Sequence, residues 1–174
     1  MTRKEMTEIF TVMSLAWPNA EMFKGGVERL GPTITLWTSC LPDVDFWTAQ
    51  QTVVKLCREC KFPPTIAEFK EKAEAVNAEI RQAINEDWNF LTLHRHLDGG
   101  IERYIRELPN GSKAKTVIMA MGGMEALFIE DDRGRHLNFE GFRDTYTALI
   151  RKDPALYGGT TLALGSGQGK ERKR

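Results

Sequence analysis

Apolar side chains recur every three or four residues as far as Ile150, and prolines and glycine pairs interrupt this pattern. Such spacing places the apolar residues on one face of a helix. Nowhere do β-branched and polar residues alternate over five or more positions, as a half-buried strand would require. The sequence therefore predicts an all-α fold, with a compact multi-helix domain, a further helical region and a flexible carboxy-terminal tail.

Capping residues and prolines bound the first predicted helices. Thr2 and Glu5 have the spacing of a capping box, and Pro18 stops the helix that follows them. A loop and a short helix then precede Pro42, and Asp43 is expected to cap a third helix. The three helices are expected to end at Trp17, Leu41 and Cys60, with the loop over residues 19–32.

The next predicted helix is long. Thr65 and Glu68 form a second capping box, and no helix-breaking residue follows before Leu97. Shorter helices are expected over residues 101–108, 112–121, 124–129 and 138–150, with a polar loop over residues 130–136. After Pro154 the chain is rich in Gly, Thr and Ser, which is typical of a flexible tail. The predicted regions are therefore residues 1–76, 77–153 and 154–174.

Positive and negative charges balance over the whole chain but not along it. The 24 Lys and Arg residues equal the 24 Asp and Glu residues in number. Residues 1–110 carry 13 basic and 16 acidic residues, a net charge of −3. Strong direct nucleic-acid binding is not expected, because that part lacks the positive field which attracts phosphates. The basic excess lies in the last third of the chain and is densest at its end.

The sequence lacks the marks of a membrane or secreted protein. No apolar run approaches the roughly 20 residues that span a bilayer, and the first residues do not resemble a signal peptide. Three cysteines, an odd number, do not form a disulfide framework. We therefore expect a soluble, intracellular protein without membrane partners.

A pair of cysteines is the first candidate for chemistry. Cys57 and Cys60 have the spacing of a zinc or redox pair. Helical geometry instead places them one turn apart on an apolar face, where they would be small core residues. A structural zinc site also needs four ligands, and no second paired spacing exists among the other candidates. Those candidates are Cys40, His94, His96 and His136.

Two further patterns have simpler interpretations. The segment Gly165–Lys170 imitates a phosphate-binding loop, but Leu164 and Glu171 occupy positions where a Walker loop needs glycine and Ser or Thr. The acids of residues 130–132, together with His136, are more typical of a solvated loop than of an acid/base pair. We therefore expect no catalytic residue, no cofactor and no metal site.

Protein-binding residues are the remaining candidates. Trp47 lies beside Phe46 and off the main apolar stripe of its helix, so it could anchor a partner. In the tail, an apolar island precedes a basic cluster, which suits a segment that becomes ordered on a partner. The candidate partner-binding residues of the tail are Leu162, Leu164, Lys170, Arg172, Lys173 and Arg174.

Several segments between Lys4 and Lys72 resemble one known family. They are Trp17-Pro18-Asn19, Leu36-Trp37, the acid-led helix from Asp43 to Cys60, and Phe62-Pro63-Pro64-Thr65-Ile66-Ala67-Glu68. In this combination they resemble the replicative-helicase loader/inhibitor proteins of bacteriophages that infect Firmicutes, and the last string is the most specific. The resemblance covers about the first 70 residues of the 174.

The resemblance implies a non-catalytic adaptor in the cytoplasm of the bacterial host. Proteins of that family have a compact helical amino-terminal domain and a mobile carboxy-terminal part. They bind a hexameric replicative helicase, hold it inactive and deliver it to an origin-bound initiator, which would be a second partner. This sequence departs from a minimal member by its extra helical region, from about Ala78 to Ile150.

Two other functions stay open at the level of sequence. The same scaffold could belong to a phage-encoded inhibitor of another host machine, such as a defence nuclease, because fold does not fix function. A DNA-binding replication organiser ranks third, since the first 110 residues carry net negative charge. An enzyme ranks last.

Overall fold

A computed structural model describes residues 1–93, 103, 105–106, 112–132 and 134–153. The expectations for the end of the long helix, for residues 101–108 and for the tail lie wholly or mainly outside this part of the chain. The described residues form two compact units, which meet in sequence between Ala73 and Glu74. The predicted boundaries at residues 76 and 153 stay a prediction.

The described part is mostly helical, which confirms the predicted fold class. Its α-helices are α1 (Arg3–Ala16), α2 (Gly31–Cys40), α3 (Phe46–Glu59), α4 (Ile66–Leu93), α5 (Lys113–Met121) and α6 (Phe139–Lys152). Short 3₁₀ turns cover Glu21–Phe23, Val27–Leu30 and Glu125–Leu127, and two strands, β1 (Phe128–Asp131) and β2 (Gly134–Leu137), pair in an antiparallel hairpin.

Two capping boxes start the helices that the sequence predicted. The backbone N–H of Glu5 donates to Thr2 Oγ1 over 3.2 Å, and the Thr2 N–H donates to the Glu5 carboxylate over 2.7 Å. Thr65 and Glu68 make the same pair of bonds over 3.3 and 2.7 Å at the start of α4. Each box satisfies amide groups that the helix itself leaves without partners.

The cap of α3 is Asp45, so the prediction of Asp43 as its cap was wrong. Asp45 accepts the backbone N–H of Thr48 over 3.1 Å and its hydroxyl over 2.9 Å. Before the helix, the chain turns so that the Val44 N–H donates to the Leu41 carbonyl, and the Val44 side chain is buried. This turn uses two more residues than expected and leaves Asp45 next to the first helical residue.

An aromatic cluster joins three helices in the core of the first unit. The Trp37 ring of α2 lies edge-on between Phe10 of α1 and Phe69 of α4, with centroid distances of 5.1 and 5.4 Å. All three side chains are buried. Edge-to-face contacts of this kind add to the stabilisation that burial of apolar area provides.

The buried face of α3 differs from the predicted one. It includes the polar residues Thr48, Gln51 and Thr52 besides Ala49, Val53 and Leu56. Cys57 is exposed and Cys60 is only half-buried, so the prediction of both as core residues was wrong. Successive helical residues are rotated by about 100°, which turns Cys57 away from Leu56 and Thr52.

In the second unit, residues 87 and 88 of α4 pack against α6. The Trp88 ring lies 5.1 Å from the ring of Phe139 and 5.2 Å from that of Phe142, measured between centroids. Beside them, the Tyr146 hydroxyl donates to Asp87 Oδ2 over 2.6 Å. The Asn138 side chain caps α6 by accepting the Gly141 N–H over 2.8 Å. The predicted helix over residues 138–150 is confirmed.

The region between α5 and α6 contains structure that the sequence pattern did not predict. Gly122 ends α5 in a left-handed conformation with φ of +114°, as the glycine pair indicated. The expected helix over residues 124–129 is a single 3₁₀ turn, however, and the expected loop over residues 130–136 is largely the hairpin. Strands of four residues are too short to show the alternation on which strand prediction depends.

We predict that Phe10→Ala lowers the free energy of unfolding by about 3–5 kcal/mol, because a cavity replaces a fully buried ring. Leu15→Ala, on the same helix, removes a side chain that is 74% exposed and should change that free energy by less than about 0.5 kcal/mol. Urea denaturation followed by circular dichroism measures both variants. Equal losses would contradict the packing described for α1.

The capping boxes also predict a dependence of stability on pH. The backbone hydrogen bond from Thr65 lowers the pKa of Glu68 below its ordinary value of 4.5. The stabilisation is therefore present above pH 4.5 and is lost as the pH falls through the lower pKa of the folded state. Glu68→Gln keeps an acceptor but cannot titrate, so its stability should fall less steeply on acidification. Urea titrations at a series of pH values test this, with Glu71→Gln as the control.

Candidate protein-interaction site

The end of α1 forms one wall of a surface groove. Pro18 cannot continue the helix, so Trp17 caps it and donates its backbone N–H to the Met13 carbonyl over 2.9 Å. The Trp17 side chain turns inward and is only 8% exposed. Pro18 and Asn19 therefore leave the helix beside a buried indole.

The segment between α3 and α4 forms the other wall. The Cys60 N–H donates to the Leu56 carbonyl over 2.8 Å, which closes the last turn of α3. Pro63 and Pro64 then hold the chain extended before the second capping box. Phe62 stands at this corner with 71% of its surface exposed, an unusual exposure for an aromatic side chain.

A hydrogen bond across the groove connects its two walls. The Trp17 indole Nε1–H donates to the Cys60 carbonyl oxygen over 3.3 Å. The groove has a volume of about 250 Å³ and is lined by Ala16–Ala20 and Lys61–Pro63. The two segments that lead the family resemblance, Trp17-Pro18-Asn19 and Phe62-Pro63-Pro64, thus meet in space although they are far apart in the sequence. We call this feature the Trp17–Phe62 groove.

The charged side chains of the groove region are mainly positive. Lys61 Nζ lies 5.6 Å from the centroid of the Phe62 ring, in a cation–π contact. Glu59, the acidic residue of this stretch, forms an ion pair with Lys72. Arg58 is exposed one turn before Lys61. The rim therefore combines an apolar floor with cations, a chemistry suited to binding.

The cysteines do not form the predicted alternative of a reactive pair. Cys40, Cys57 and Cys60 are free thiols. Partial desolvation, followed by the effect of the nearby Cys60 thiol, raises the pKa of Cys57, which lowers its thiolate fraction and hence its reactivity. Within the described ranges, no group of three or more His, Cys, Asp or Glu residues is placed to hold a metal ion.

The acids near the hairpin turn are exposed, as a solvated segment would be. Asp131 and Asp132 have exposed side chains, and His136 Nδ1 lies 3.7 Å from Asp131 Oδ1. Arg135 covers the ring of Phe128 at 4.2 Å from its centroid. This hairpin shows no constellation of nucleophile and base among its described residues.

The predicted partner-binding residues do not come together at the groove. Trp47 lies in the first turn of α3 and is half-buried. Its indole Nε1 is buried and has no hydrogen-bond partner among the described residues. The tail candidates Leu162, Leu164, Lys170, Arg172, Lys173 and Arg174 lie outside the described part of the chain. All seven stay predictions.

Sequence reasoning used Trp17 and Phe62 as family markers but did not identify the groove. A signal was available, because an aromatic residue adjoins a helix-ending proline in both segments. Only the tertiary packing shows that the two segments are neighbours. No helix in the described residues has the length and apolar character needed to cross a membrane.

The first unit is, by its fold and its groove, a small helical domain built for protein contact. Its residues 1–70 match the family model for the N-terminal domain of a phage helicase loader. The resemblance predicted from residues 4–72, to phage helicase loaders, is thereby confirmed for this part of the chain. No curated protein and no solved structure matches the chain.

We predict that Trp17→Phe destabilises the protein by about 1–2 kcal/mol, because the Cys60 carbonyl loses its indole donor in a partly buried place. Trp47→Phe is a matched control, since the Trp47 indole N–H makes no hydrogen bond to any described residue. Thermal unfolding of both variants gives the comparison. A Trp47→Phe loss as large as the Trp17→Phe loss would contradict this role of the hydrogen bond.

Proposed function

We propose that this protein is a phage DNA-replication adaptor that binds the hexameric replicative helicase of its host. In that role it inhibits the helicase, loads it at an initiator-bound origin, or does both in turn. The match of residues 1–70 to the N-terminal domain of a phage helicase loader carries the proposal. The protein would act in the host cytoplasm, where its partner is found.

The features of the first unit agree with an adaptor. Its fold is held by an apolar core, and its groove presents exposed Phe62 beside cations instead of acid/base groups. A protein that acts by binding needs only differential affinity. If it binds one state of the helicase ring more tightly, it raises the population of that state by the ratio of its two affinities.

Release follows from the same thermodynamics. An initiator or DNA that favours another state of the ring lowers the adaptor's affinity by the reciprocal factor, so no chemical step is needed. We propose Trp47 and the basic tail residues as further contacts. Four of the tail candidates are cations within the last five residues, where they would complement an acidic face of the partner.

We predict that the full chain binds the purified host helicase, and that a chain ending at Asp153 binds at least about tenfold more weakly, because it lacks the apolar and basic tail residues. Light scattering or fluorescence anisotropy with and without ATP measures the complex. A full-length variant with glutamine at Lys170, Arg172, Lys173 and Arg174 separates the effect of charge from that of chain length. Failure of every version to bind would overturn the proposal, whereas equal binding would remove only the tail contact.

A further inference from the structure

We infer that the Trp17–Phe62 groove docks a helicase segment in which a large apolar side chain stands beside a carboxylate. This inference rests on the proposed function and adds a second contact surface to it, on the folded domain. The occupant follows from the size, the lining and the charge of the groove, which are considered in turn.

The size of the groove suits one or two side chains. Its volume of about 250 Å³ is below the range of about 300–1,000 Å³ in which sites for small-molecule ligands usually fall. The floor is formed by Trp17, Pro18 and Pro63, whose surfaces are largely apolar. A large aliphatic or aromatic side chain entering here would cover Phe62 and remove its exposed ring from water.

The charge of the rim favours an acidic neighbour. Lys61 lines the groove, Arg58 is exposed one turn earlier, and the ion pair with Lys72 compensates Glu59. The carboxyl ends of α1 and α3 also border the groove, and each contributes about half a negative charge. Two full cations on exposed side chains exceed this contribution, so a carboxylate beside the apolar anchor would be attracted.

Charge also distinguishes among the available occupants. The chain's own tail places its apolar residues Leu162 and Leu164 near a basic cluster, which has the same sign as Lys61 and Arg58. That segment would be repelled from the rim. Both the groove and the basic tail instead complement an acidic surface, so a single acidic partner can engage both. Simultaneous contact at two surfaces strengthens binding beyond either contact alone.

Two variants of the full chain test the inference, with purified host helicase as the probe. Phe62→Ala removes the exposed ring, and we expect about tenfold weaker binding. Lys61→Glu reverses the charge of the rim and should weaken binding by a similar factor at low salt, with a smaller effect at high salt. Neither side chain is buried, so both variants should keep the circular dichroism spectrum and thermal midpoint of the unaltered protein.

Leu36→Ala and Lys70→Glu are the matched controls. Both residues are exposed in the same unit and neither lines the groove, so their affinities should equal that of the unaltered chain. If the groove variants bind like these controls, the inference is wrong and the proposed function stands. If the unaltered chain does not bind helicase, both are overturned. Weakened binding to the initiator alone, or self-association that Phe62→Ala abolishes, would overturn the helicase as occupant.

Discussion

The edge-on contact of Trp37 with Phe10 and Phe69 determines the shape of the first unit. These rings are buried and belong to α2, α1 and α4, so they fix three helices relative to one another. Closely packed interiors resist displacement, because any shift opens a cavity or forces an overlap. The end of α1 and the approach to α4 are therefore fixed as well. The Trp17–Phe62 groove depends on this core, because its walls are the segments directly attached to those helices.

Signals that act within a few residues allowed much of the fold to be predicted from the sequence. Both capping boxes, the stop at Pro18 and the glycine pair after α5 act locally, and each appears where the sequence indicated. The cap of α3 was misplaced because burial of Val44, a tertiary effect, decided the length of the preceding turn. The hairpin was missed because its pairing is visible only when two short segments are considered together.

The candidate site was less predictable than the fold, for a related reason. Trp17 and Phe62 are each recognisable as unusual, but a groove exists only where two distant segments meet. Their meeting depends on the hydrogen bond from the Trp17 indole to the Cys60 carbonyl, which no local pattern encodes. Trp47 illustrates the converse case. Its position off the apolar stripe suggested exposure, whereas its indole nitrogen is buried.

The groove and the tail differ in what binding would cost each of them. Pro18, Pro63 and Pro64 restrict the backbone on both sides of the groove, and the bond to Cys60 holds the indole in place. A partner that enters meets a surface already close to its bound form, so little conformational entropy is lost on this side. A Gly- and Ser-rich segment with the composition of residues 158–169 loses much more when it becomes ordered. An adaptor with both surfaces could therefore be positioned by the rigid one and released through the costly one.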